Sequence, residues 1–158
     1  MQEMEPARRT KKNMELLYLG IFGLGLLLLY DLASLKKMKK RYVLAASGYL
    51  THAMAIFFAI FRERSLNLPN WAAWPGFVLT VAGLWWLTYC LFLFPPIKKT
   101  YHDKKELALV AEGPYAFSRH PGFLGYTILL SGLVLASRSF YLLEAAPIWT
   151  FSNLFYIY

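Results

Sequence analysis

The sequence predicts an all-α, multi-pass membrane helical bundle of about five hydrophobic helices, the last two forming a helical hairpin. Of its 158 residues, 58% are hydrophobic and only 16% are charged, whereas a soluble domain carries about 25% charged residues. The apolar residues fall in long blocks separated by short basic segments, and about 20 apolar residues can cross a bilayer as one helix. Because lipid offers the backbone no hydrogen-bond partners, blocks that cross it are expected to be helical.

The first two blocks are long enough to span a bilayer. Residues 14–35 form the first, with Glu15 and Asp31 near its ends. Residues 42–61 form the second, interrupted only by Thr51 and His52. We expect His52 to be satisfied by a neighbouring helix, with a place along a substrate path as the alternative.

The third block, residues 71–94, carries no charge and is the strongest candidate span. Trp71 and Trp74 stand at its start, where an interfacial aromatic belt is expected. Pro95 and Pro96 are expected to end the helix, because proline lacks the N–H donor and clashes with the preceding turn. The lone Cys90 lies within this block, which excludes an intrachain disulfide or a cysteine metal cluster; no metal site is expected.

The last two blocks form the predicted hairpin. Residues 123–136 are short for a span, whereas residues 140–158 are long enough and carry Glu144 and Pro147. We expect residues 1–158 to form a single integral-membrane domain. Since the sequence stops at Tyr158 inside an apolar run, we also expect the domain to be truncated within its last span.

The formal charge of +8 indicates a membrane surface and not a nucleic acid, because the basic residues flank apolar blocks as topology signals do. Ten of the 17 Lys and Arg residues fall on one side of an alternating arrangement of spans, and the positive-inside rule places that side in the cytoplasm. They are Lys36, Lys37, Lys39, Lys40, Arg41, Lys98, Lys99, Lys104, Lys105 and Arg119.

Residues 113–125, here called the 113–125 segment, hold the most informative polar cluster. Gly113-Pro114 signals a turn, and Pro121 is well placed as the first residue of a helix. Arg119 and His120 would then lie beside the free N–H groups and the positive dipole end of that helix. This arrangement predicts a site for an anionic group, although an isolated Arg-His pair would more often anchor lipid phosphates.

The pattern of these residues resembles the signature of the integral-membrane methyltransferases, which include isoprenylcysteine carboxyl methyltransferase and the phospholipid N-methyltransferases. The pattern is Leu109-Val110, Gly113-Pro114-Tyr115, Arg119-His120-Pro121 and Gly125. The resemblance implies S-adenosyl-L-methionine as cofactor. By that resemblance and by the anion-site argument, the cofactor-binding residues are Leu107, Ala108, Leu109, Val110, Gly113, Tyr115, Arg119, His120, Pro121, Gly122 and Phe123.

Two departures from the family pattern matter. Phe123 stands where family members usually carry an aromatic residue, often tyrosine, so the hydroxyl is lost. The pair of glutamates that family members carry beyond the last span is missing from this sequence. The resemblance therefore implies either a truncated form of a longer protein or an incomplete copy.

The predicted function is methyl transfer from S-adenosylmethionine to an amphiphilic, membrane-resident acceptor, either an isoprenylcysteine-type carboxylate or a phospholipid amine. The partner would be a lipid or a lipidated molecule. The catalytic residue stays open, with His120 and Arg119 as candidates. Two alternatives remain: a membrane enzyme like the NADPH-dependent sterol reductases, which carry a related Arg-His-Pro motif, and a non-catalytic membrane protein.

Overall fold

The structure is a computed structural model that describes residues 4–36, 38–39, 41–61, 66–93 and 113–157. Regular structure in these residues is helical, which confirms the all-α prediction, and each of the five apolar blocks forms a helix. The α-helices are α1 (Met4–Leu35), α2 (Arg41–Ile60), α3 (Ala73–Thr88), α4 (Pro121–Ser137) and α5 (Phe140–Ile157).

The third block is helical throughout its described part, but not as one α-helix. A 3₁₀ turn, Asn70–Ala72, leads into α3, and a π-helical turn, Tyr89–Leu93, follows it. The predicted stop at Pro95 and Pro96 lies outside the described residues.

Among the described residues, two helical segments are long and apolar enough to cross a membrane, Met14–Ser34 within α1 and Arg41–Ile60. The third and fifth blocks, which the sequence predicted to be long enough as well, are not among them, and the α-helix of the third block, α3, has 16 residues. Pro121–Ser137 is apolar but shorter, as the sequence predicted. α1 also begins ten residues before its apolar block, and these additional residues are mostly polar.

The described chain divides into two compact units. Residues 1–68 and 137–158 form the first, in which α1, α2 and α5 pack against one another. Residues 69–136 form the second, which contains α3, the 113–125 segment and most of α4. The hairpin and the single membrane domain stay predictions.

His52 occupies the centre of the first unit. Its Nδ1–H donates to the carbonyl oxygen of Gly20 in α1, with 3.0 Å between the two atoms. Its ring meets the edge of Trp149 from α5, with 5.2 Å between the ring centroids. Trp149 is fully buried and its Nε1–H donates to Leu17 O at 3.3 Å. His52 is thus held by a neighbouring helix, as expected, and links all three helices of the unit.

The second unit depends on close approach of α3 and α4. A Cβ atom on Gly83 would lie 2.5 Å from the backbone nitrogen of Leu129, and one on Gly132 would overlap the backbone of Thr80. Gly76 meets the backbone of Ala136 in the same way. Small residues therefore let the two backbones touch, a packing mode common among membrane helices.

Candidate functional site

A tight turn opens the 113–125 segment. Gly113 adopts a φ of 58°, a left-handed conformation that glycine enters without steric cost. The 3₁₀ turn Gly113–Ala116 follows, and its Pro114 is fully buried. The amides of Phe117 and Ser118 both donate to Pro114 O, at 3.2 and 3.3 Å. The turn predicted from Gly113-Pro114 is confirmed.

The start of α4 lies where the sequence predicted it. α4 begins at Pro121, and the carbonyl of His120 accepts the amide of Leu124 at 3.2 Å, so His120 is the residue that caps the helix. The hydroxyl of Ser118 accepts the His120 amide at 3.2 Å, which fixes the chain just before the cap. Proline has no N–H, and the next amides, of Gly122 and Phe123, have no acceptor inside the helix.

The two basic side chains of the segment are at the surface. Arg119 and His120 are both exposed, whereas Pro121 behind them is buried. The helix dipole adds partial positive charge at the same end of α4. One short stretch of chain therefore holds a guanidinium, an imidazole and two helix-start amides. This combination suits an anion with planar oxygens.

The two glycines of the first turns of α4 have different surroundings. Among the described residues, no heavy atom lies within 4 Å of a Cβ placed on Gly122, so they leave that side of the helix start open. A Cβ on Gly125 would lie 2.7 Å from Cδ1 of Trp86 in α3. A residue without a side chain allows either a ligand or a neighbouring helix to approach the backbone closely. The structure assigns the helix to Gly125 and leaves space at Gly122.

Trp86 is the residue of this region that the sequence did not single out. Its Nε1–H donates to the carbonyl oxygen of Pro121 at 2.9 Å. Its ring meets the ring of Phe117 edge to face, with 6.3 Å between centroids and 73° between planes. The sequence offers only the Trp85-Trp86 pair, which we would read as packing. Trp86 follows Gly83 by three residues and so shares its helix face, a signal that could have separated it from Trp85.

The predicted cofactor-binding residues divide into two groups. Gly113, Tyr115 and residues 119–123 lie together in the described part of the site, with Tyr115 and Phe123 half-buried. Leu107, Ala108, Leu109 and Val110 lie outside the described residues. Within the described ranges, no group of three His, Cys, Asp or Glu side chains is placed to hold a metal ion.

Comparison with known families decides the class of the protein. The sequence model of phospholipid methyltransferases matches residues 71–158, more than half of the chain, including α3, the 113–125 segment, α4 and α5. The chain belongs to the phospholipid methyltransferase family. No curated protein and no solved structure matches it.

Membership in this family confirms the resemblance to membrane methyltransferases and supports methyl transfer to a phospholipid-type acceptor. The matched range contains every predicted site residue. It begins at Trp71, after α1 and α2, and includes Trp86.

Proposed function

We propose that this protein transfers a methyl group from S-adenosylmethionine to the amine of a phospholipid headgroup. The observation that carries the proposal is the family match over residues 71–158, which coincides with an exposed cationic helix start. The acceptor would enter from the bilayer of a multi-pass membrane protein, with the 113–125 segment on the cytoplasmic side.

The helix start fits the charged end of the proposed cofactor. S-adenosylmethionine ends in an α-amino acid, whose carboxylate is a planar anion. Arg119 would bind that carboxylate with its fork of donors, and the amides of Gly122 and Phe123 would donate from the end of α4. His120, Pro121, Tyr115 and Gly113 would surround it. The open side of Gly122 gives such a group room to reach the backbone.

The bound cofactor would supply a methyl group activated by a sulfonium. The protein would then align acceptor and donor for in-line displacement and exclude water from them. A headgroup ammonium has no lone pair, so it must first lose a proton to a base. His120, exposed at the helix start, is the candidate base, because imidazole has a ring nitrogen that can accept a proton. Arg119 stays protonated and is better suited to hold an anion.

A binding experiment tests the cofactor assignment. We expect the purified chain to bind S-adenosylmethionine and not NADPH, which is the cofactor of the sterol-reductase alternative. Arg119→Ala should weaken binding about tenfold or more, since hydrogen bonds to charged groups contribute about 1.5–3 kcal/mol. Arg41→Ala is the matched control, because Arg41 donates to its own neighbour Tyr42 at 2.9 Å. Selective NADPH binding would instead favour the reductase.

A product analysis tests the acceptor. The runner-up acceptor, an isoprenylcysteine-type carboxylate, would give a methyl ester, which base hydrolyses to methanol. A methylated amine survives the same treatment. We therefore expect radioactive methyl incorporated into lipid to resist base, and volatile label after base would favour the carboxylate.

Cysteine labelling tests the orientation. In cells expressing a Ser118→Cys variant, we expect an impermeant thiol reagent to label that position only after the membrane is opened to the cytoplasm. The native Cys90 is buried and the unsubstituted protein gives the background. Labelling from outside intact cells would contradict the cytoplasmic placement.

A further inference from the structure

Trp86 contacts the 113–125 segment at three places. Its indole N–H donates to Pro121 O at 2.9 Å, and its ring meets Phe117 edge to face. Its Cδ1 approaches Gly125 so closely that a Cβ there would lie 2.7 Å away. One half-buried side chain of α3 thus contacts the segment before, at and after the start of α4.

These contacts lie on both sides of Arg119 and His120 in the chain. Phe117 comes two residues before Arg119, and Pro121 directly follows His120. Arg119 and His120 are exposed, and Trp86 holds the chain on either side of them. The bond to Pro121 O acts on the first turn of α4, where the amides of Gly122 and Phe123 begin the helix.

The neighbouring tryptophan provides an internal contrast. Trp85 is 66% exposed, as expected for a ring on the outer face of α3. The two side chains are chemically identical and adjacent. They differ in exposure and in contacts because they lie on different faces of α3.

We propose that Trp86 is a positioning residue of the cofactor site, which fixes the start of α4 so that Arg119 and the helix-start amides converge on the carboxylate of the methyl donor. This inference rests on the proposed function. Trp86 does not touch the reacting groups in this assignment. It acts through Pro121 and Phe117.

Calorimetry with S-adenosylhomocysteine, the demethylated cofactor, tests the assignment without catalysis. Trp86→Phe should raise Kd about tenfold, because the loss of one hydrogen bond and a misplaced helix start affect the bound state directly. Trp85→Phe is the matched control and should stay within about twofold of the unsubstituted protein. A benzothiophene analogue of Trp86, which keeps the ring but lacks the N–H, should also raise Kd, by about threefold or more.

The binding stoichiometry separates positioning from mere folding. A residue that only supports the fold reduces the fraction of competent protein, which lowers the stoichiometry and leaves Kd unchanged. That result, or a Trp86→Phe Kd equal to that of Trp85→Phe at full stoichiometry, would overturn the assignment. If the unsubstituted protein binds no S-adenosylhomocysteine, the proposed function fails and the assignment fails with it.

Discussion

Replacing Ser139 with alanine should destabilise the first unit strongly, because one hydroxyl serves two helix ends. Ser139 Oγ donates to the carbonyl oxygen of Ala59 at 2.7 Å, near the end of α2. The same oxygen accepts the amide of Leu142 at 3.2 Å, in the first turn of α5. Carbonyls and amides at helix ends have no partner inside the helix. Ser139 therefore caps α5 and satisfies α2 at the same time.

The magnitude follows from burial. Ser139 is 1% exposed, and Ala59 and Leu142 are both fully buried, so water cannot replace the hydroxyl. Loss of a serine N-cap costs about 1 kcal/mol, and a buried carbonyl left without a donor costs about 1–3 kcal/mol. We expect Ser139→Ala to lower the free energy of unfolding by about 2–4 kcal/mol.

The loss of unfolding free energy can be measured on protein purified in mild detergent, which is then unfolded by titration with a denaturing detergent. Ser152→Ala is the control, since Ser152 lies in the same helix and its hydroxyl donates only to Ile148 O, at 2.8 Å, one turn earlier. That variant should change the free energy of unfolding by less than about 0.5 kcal/mol. Equal effects of the two substitutions would refute the double-cap explanation.

Four glycine substitutions give further predictions. Gly23→Ala should cost about 1–3 kcal/mol of unfolding free energy, since its Cβ would lie 2.8 Å from the amide nitrogen of His52 and overpacking is destabilising. Gly25 lies in the same helix, and no described atom lies within 4 Å of a Cβ placed on it, so Gly25→Ala should be neutral or stabilising by up to about 1 kcal/mol. The same detergent titration compares the two variants, and equal changes in unfolding free energy would contradict the packing around Gly23. Gly113→Ala should lower the unfolding free energy by about 1–2 kcal/mol, because a side chain is strained in the left-handed region that Gly113 adopts with its φ of 58°. It should also weaken S-adenosylhomocysteine binding, and an unchanged affinity by calorimetry would mean that the turn is not part of the site. Gly122→Ala should leave the unfolding free energy unreduced, because its surroundings are open, yet raise the Kd for S-adenosylhomocysteine; an unchanged Kd would mean that no ligand approaches that backbone.

The helices could be predicted from the sequence because each contains a long apolar block. In lipid or in a protein core, the backbone of such a block must form its hydrogen bonds internally, which a helix allows. The start of α4 could be predicted to the residue, since Pro121 lacks an N–H and restricts His120 before it. The extension of α1 over residues 4–13 could not, because no apolar pattern marks those residues.

Contacts distant in sequence could not be read from local pattern. In the sequence, only the spacing of Trp86 from Gly83 separates it from Trp85, and the contact of Trp86 with Gly125 depends on how α3 and α4 pack. Ser139 before an apolar run signals a helix cap, but its bond to Ala59 joins residues 80 positions apart. Likewise, His52 is visible as a polar residue in a span, whereas its partner Gly20 is set by how α1 and α2 pack.

The most direct measurement is transfer of radioactive methyl from S-adenosylmethionine to phosphatidylethanolamine, with the purified protein in bilayer nanodiscs. Membership in the phospholipid methyltransferase family and the cationic start of α4 predict label in the lipid fraction that base does not release as volatile methanol. Arg119→Ala should strongly reduce this label, and Arg41→Ala should retain it. Absence of label in lipid, from folded protein that binds S-adenosylmethionine, would contradict the phospholipid acceptor. Label unaffected by Arg119→Ala would contradict the site.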